Sequence, residues 1–160
     1  MEIIDRILQK VSSQEGFPGV VTEKINGYNR LVVPRDKLID VCISLKTEYA
    51  FDMLIDIVGV DRFTKNDRFE AVYNLWSNEN KIRLFLRVKL DSVKPEVESV
   101  TPIWSTANWQ EREVYDMFGI IFLHHPDLRR IYMMDSFEHY PLRKDFPLTG
   151  IPGSVELPKK

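Results

Sequence analysis

The chain has 160 residues, 44% hydrophobic and 29% charged, enough to bury the core of one compact domain. Lys and Arg number 22 against 24 Asp and Glu, and the formal charge of −2 provides no broad cationic surface for phosphate backbones or anionic lipid, which argues against nucleic acid as a partner. No apolar run approaches the roughly 20 residues of a membrane span, and the single cysteine, Cys42, excludes an internal disulfide and an iron–sulfur cluster ligated by this chain alone.

Ile3, Ile4, Ile7, Leu8 and Val11 recur at helical spacing before Gly16, Pro18 and Gly19, so residues 2–12 are expected to form a helix. Its amphipathic mixture is unlike a signal peptide, and the expectation is a protein that begins in the cytosol. Val20–Ile25 and Tyr28–Val33 flank Asn26-Gly27, a strong two-residue hairpin signal. After Pro34, the apolar positions Leu38, Ile39, Val41, Cys42 and Leu45 predict a helix over 35–47.

Met53–Val60 is almost continuously apolar and reads as a strand buried on both faces, whereas Ile82–Leu90 alternates and reads as buried on one. Phe69, Ala71, Tyr73 and Leu75 form a matching strand, joined to the last by the polar loop Asn78–Lys81. Residues 105–119 predict a helix over 108–118, with Asn108 and Glu111 spaced as a capping box and Gly119 placed for a left-handed C-terminal cap.

The order α-β-β-α-β-β-β-α predicts a single α+β domain over 1–140, with helices packed on a mixed or antiparallel sheet. The last 20 residues, 141–160, hold Pro141, Pro147, Pro152 and Pro158 without apolar periodicity. They predict an extended arm that a partner orders, so that truncation after Pro141 leaves the domain folded.

Around the 108–118 helix, Ala107, Glu111, Val114, Tyr115 and Phe118 fall on one side and Trp109, Glu113 and Asp116 on the other. Both faces mix apolar and acidic groups, which suggests that one packs on the sheet and the other meets a second protein. Glu111, among apolar neighbours, requires a cationic or hydrogen-bonding partner. Arg129 and Arg130 are the candidates, one turned inward and the other toward a partner.

Catalytic readings fare worse. Glu111 and Glu113 lie about 200° apart around one helix and cannot converge on one substrate atom. His124, His125, Asp127, Glu138 and His139 are the residue types of a metal-dependent hydrolase, yet no His-x-x-x-His spacing aims two imidazoles at one ion. His125, before Pro126-Asp127, better suits a hydrogen bond that fixes the turn after the helix. Cys42 lies on an apolar stripe and reads as a buried, inert thiol. The glycines form no phosphate-binding loop for NADH or flavin. Tyr132, Met133, Met134, Phe137 and Tyr140 could line a quinone, but fit equally well as packing where two proteins meet.

The stretch Ala107-Asn108-Trp109, Glu111-Arg112-Glu113, Asp116-Met117-Phe118, then His125-Pro126-Asp127 after six residues, Arg129-Arg130-Ile131-Tyr132, and finally Arg143-Lys144-Asp145-Phe146-Pro147, resembles the signature of the thirty-kilodalton subunit family of respiratory complex I. The resemblance implies a structural subunit without catalytic, cofactor-binding or metal-binding residues, whose signature residues over 108–132 and 143–147 form a subunit interface. It places the chain in the peripheral arm of the proton-translocating NADH:quinone oxidoreductase, on the cytoplasmic side of the cell membrane and held there through the complex. The implied partners are the hydrogenase-like large quinone-site subunit, of D type, and neighbouring iron–sulfur subunits of B, I and G types. NADH or another donor, FMN, iron–sulfur clusters and quinone would belong to other subunits. The same pattern occurs in membrane-bound hydrogenases and ferredoxin-linked relatives, which leaves the electron donor open.

Overall fold

The computed structural model describes residues 3–13, 16–64 and 66–151. Helix α1 (Ile3–Val11) buries Ile4, Ile7, Leu8 and Val11, the stripe its spacing predicts. Strands β1 (Val21–Ile25) and β2 (Tyr28–Val32) pair antiparallel. They turn through Asn26 and Gly27 at φ of 50° and 84°, the positive values that favour Asn-Gly at such a hairpin. One 3-10 turn (Arg35–Lys37) leads into α2 (Leu38–Tyr49), which continues two residues past the predicted end.

Strands β3 (Met53–Asp61), β4 (Phe69–Ser77) and β5 (Ile82–Leu90) follow, and the sheet runs β1-β2-β5-β4-β3. All pairings are antiparallel except β2 with β5, so the sheet is mixed. Register places Leu31, Leu86, Tyr73 and Ile57 on one face. These residues belong to a single core cluster with the apolar stripes of α1 and α2.

The reading of β3 as buried on both faces does not hold. β3 is the sheet edge, and Met53, Ile55 and Val58 are 45%, 38% and 46% exposed while Leu54 and Ile57 are buried. The strand carries apolar side chains outward because the helices cover only one sheet face. On the open face, Glu70 pairs with Arg62 and Arg87, and Glu23 with Arg30.

The sequence reading also missed β6 (Glu96–Glu98) and β7 (Ile121–Leu123), which form a separate parallel pair. At three residues each, neither is long enough to display a period. Between them runs α3 (Ala107–Phe118). Gly119 ends α3 at φ 72°, its N–H reaching the Tyr115 carbonyl at 2.8 Å, so the left-handed cap is present. The capping box is not: Thr106 occupies the N-cap without a side-chain cap bond, and the Glu111 side chain leads elsewhere.

Gly59 sets how closely α3 lies on β3. A Cβ there would stand 2.6 Å from Phe118 and 3.0 Å from Val114, so only a bare backbone permits this approach. Gln110 adds a bond from Nε2 to the Ile55 carbonyl at 2.8 Å, at the sheet edge.

Candidate functional site: the α3 face and the segment that covers it

α3 divides its polar residues between two environments. Glu111 is fully buried and meets neither Arg129 nor Arg130, contrary to the expected ion pair. Its Oε2 accepts from the Ser99 hydroxyl at 2.6 Å and its Oε1 from the Val100 amide at 2.8 Å. Ser99 and Val100 follow β6, and nothing in their local pattern announces a carboxylate partner.

Asp116, placed by periodicity on the outward side, is also fully buried. The chain from Arg130 to Met133 folds over it. Its Oδ2 accepts the amides of Ile131, Tyr132 and Met133 at 3.0, 2.7 and 3.0 Å, and its Oδ1 accepts from Arg130 at 2.9 Å. Burial tends to raise the carboxyl pKa, but these four donors hold it below the usual value. One helix carboxylate thus anchors an irregular loop by its backbone.

Arg130, 10% exposed at its side chain, also donates to the His139 carbonyl, whereas the Arg129 side chain is 77% exposed and pairs with Asp127. The adjacent arginines do point apart, but each is paired with an aspartate. Arg112 bonds the Arg129 carbonyl from Nε at 3.0 Å and lies 4.7 Å from the Trp109 ring centroid.

His125 fixes the turn that follows β7. Nδ1 accepts the Asp127 amide at 3.0 Å, which leaves Nε2 to carry the hydrogen toward the Asn108 carbonyl at 3.1 Å. Burial lowers its pKa, so the ring is neutral at pH 7. Among the described residues no group of three His, Cys, Asp or Glu side chains is arranged to hold a metal ion. Glu111 is buried and Glu113 exposed, so they share no cleft. Cys42 is fully buried, and burial pushes its thiol far above the range of a reactive thiolate.

The arm predicted from Pro141 is fastened to the domain at its start. The Leu142 amide reaches the Met117 carbonyl at 3.1 Å, and Arg143 Nε reaches the Phe118 carbonyl at 2.6 Å. The Arg143 guanidinium lies 4.4 Å from the Tyr140 ring centroid and 4.9 Å from that of Phe69. The Lys144 amide donates to Asp61 at 2.9 Å, and Asp145 shares Arg68 with Asp61. The reason is donor supply: proline removes some amides, but those of Leu142 and Lys144 remain and find buried acceptors. Residues 152–160 of the predicted arm lie outside the described residues.

The motif residues therefore separate. Glu111, Arg112, Asp116, Met117, Phe118, His125, Arg130 and Arg143 are engaged inside the domain. Trp109 at 64% exposed, Glu113 and Arg129 stay accessible, as do Tyr132 and Met134 on the covering segment. Pro126, Lys144 and Pro147 are also exposed, while Phe146 packs near the Phe137 ring. The sequence reading did not single out Asp61, Arg68 or Ser99: Asp61 and Arg68 pair across the β3–β4 connection and meet Lys144 and Asp145 far along the chain, and Ser99 meets Glu111 from the turn after β6.

Residues 31–152 match the family described as respiratory-chain NADH dehydrogenase, 30 Kd subunit. Over 127 residues the chain is 50% identical to a C-type subunit of the NADH-quinone oxidoreductase of Rhizobium etli (strain CIAT 652), covering 78% of this chain and 67% of that protein. The trypsin-resistant fragment (1-134) of Nqo5 superposes with a TM-score of 0.67 at 35% identity, covering 78% of this chain and 98% of the fragment. A chain from the membrane-bound sulfane sulfur reductase, an archaeal respiratory membrane complex, superposes with a TM-score of 0.76 at 26% identity, covering 91% of this chain and 84% of that chain.

Proposed function

Because the chain belongs to the 30 Kd subunit family of the respiratory-chain NADH dehydrogenase, we propose that it is a structural subunit of the peripheral arm of an NADH:quinone oxidoreductase. It carries no redox group of its own. NADH or another donor, FMN, iron–sulfur clusters and quinone reside in other subunits, and this chain docks the large quinone-site subunit on the cytoplasmic side of the cell membrane. No helix among the described residues is long and apolar enough to cross a membrane, in keeping with attachment through the complex.

The observation that carries the docking assignment is the division of the motif. Interior members tie α3 to its covering segment, while Trp109 and Tyr132 are exposed and so is the Arg129 side chain; Arg112 lies on the Trp109 ring and bonds the Arg129 carbonyl, and Asp116 holds the Tyr132 amide. An aromatic and an arginine on a preformed surface are the residue types that dominate protein interfaces. A rigid surface also loses little conformational entropy on docking.

The test is co-purification of the tagged chain from mildly solubilised membranes of its host. Trp109→Ala and Arg129→Ala are each expected to melt within a few degrees of the parent while recovering less iron–sulfur partner and less quinone-reductase activity. Undiminished recovery with both changes would remove this face from the interface. The archaeal sulfane sulfur reductase match favours a second reading, the equivalent subunit of another membrane respiratory complex. Co-purifying quinone reduction selects the first reading, and sulfur reduction or hydrogen evolution the second.

A further inference from the structure

Glu111 is a buried carboxyl group for which the docking role has no use. Its surroundings are supplied by five parts of the chain. Ser99, Val100 and Thr101 come from the turn after β6, His125 from the turn after β7, Tyr73 from β4, Cys42 from α2, and Arg112 is its neighbour on α3. None of these supplies a positive charge to it. The Arg112 guanidinium is committed to the carbonyl of Arg129 and the ring of Trp109. His125 stands 3.8 Å from Oε2, but its Nδ1 is occupied by the Asp127 amide. A second proton on that ring would face an N–H, so the imidazole stays neutral.

Cys42 is a neutral thiol, and the Tyr73 hydroxyl is fully buried without a hydrogen-bond partner. An ionised Glu111 would thus carry a negative charge in the core balanced by one amide and one hydroxyl. Ser99 is poised to serve either state. Its oxygen lies 2.6 Å from Glu111 Oε2 and 2.8 Å from Thr101 Oγ1, and either oxygen of the Ser99–Thr101 pair can donate.

We propose that Glu111 is a proton-binding site inside the folded domain, exchanging one proton with water while the Ser99 hydroxyl hydrogen reverses direction. In the ionised state Ser99 donates to Glu111. In the neutral state the Glu111 hydroxyl donates to Ser99, whose own hydrogen turns to Thr101. No heavy atom has to move, and every oxygen in the chain Glu111–Ser99–Thr101 remains bonded in both states. Burial, only partly offset by the Ser99 and Val100 bonds, raises the carboxyl pKa from 4.5 to about 7.

The linkage has a definite sign. A carboxyl whose pKa is higher folded than unfolded binds more protons in the native state, so native stability falls as pH rises from about 4.5 to about 7 and is level beyond. The unfolding equilibrium constant should rise on the order of a hundredfold across that window through this one group. This site stands apart from the docking reading and survives its failure.

The experiment follows the side-chain carboxyl resonances of the full chain, ¹³C-labelled at glutamate, from pH 4 to 9. One resonance is expected to titrate near neutrality and to be absent in Glu111→Gln. Ser99→Ala, which removes a bond that favours the ionised form, should move that midpoint upward. The same glutamine variant should gain stability relative to the parent as pH rises from 5 to 8, measured by urea unfolding. If Glu111→Gln does not fold, infrared detection of a neutral carboxylic acid in the parent at pH 6 serves in its place. Titration of every glutamate below pH 5.5 overturns the site, as does a neutral-range resonance that persists in Glu111→Gln. A midpoint that stays put or falls in Ser99→Ala overturns the part given to Ser99, whose bond to a carboxylate should be stronger than its bond to the neutral acid.

Discussion

At Asp116, one carboxylate accepts three consecutive amides and a guanidinium. Asp116→Ala would leave three N–H groups and a nearly buried arginine without their acceptor, and the expected loss is about 3 to 5 kcal/mol in urea unfolding. Arg130→Ala should cost less, about 1 to 3 kcal/mol, because Asp116 keeps its three amide donors. Arg129→Ala, at an exposed pair, should leave the urea midpoint nearly unchanged. Asp61 makes a separate prediction. Burial opposes its ionisation, but Arg68 and the amides of Lys144 and Phe63 bring its pKa down from 3.8 to about 2. A carboxyl lowered by folding stabilises the native state above its unfolded pKa. That contribution should fade as pH falls from about 4 to 2, and acid titration of Asp61→Asn should show a shallower decline.

Among the elements, the contact between α3 and β3 depends on the missing side chain of Gly59. Gly59→Ala should push Phe118 and Val114 away and cost about 1 to 3 kcal/mol, read by chemical denaturation, with loosened amide exchange in α3. Helical period places the side chains of α3 only in part. Trp109 and Glu113 are exposed as the helical period implies, but Asp116, on the same side, is roofed by residues 130–133. Periodicity locates a face and says nothing of a loop that returns across it about 15 residues later. The apolar run of β3 misled for a related reason, since run length reports hydrophobicity and not which neighbours arrive.

For the whole molecule, the link between Phe118, Asp61 and residues 142–145 moves the working boundary of the domain. Truncation after Pro141 removes Arg143 from between the Tyr140 and Phe69 rings and Asp145 from Arg68. It should lower the melting temperature by several degrees. Calorimetry on the truncated and full chains measures the difference.

The amino-acid sequence by itself determined the α+β class, the Asn-Gly hairpin, the helix capped at Gly119 and the family signature, because each rests on local geometry or on residue spacing. It also determined that Glu111 needs a polar partner, since helical period alone puts it among apolar side chains. Only the tertiary structure decided which partner that is. Ser99 and Val100, not an arginine, reach Glu111, while Arg130 closes on Asp116 and Lys144 on Asp61. Those choices depend on how segments distant in sequence approach one another, and the directional reach of a hydrogen bond cannot be read from a linear pattern.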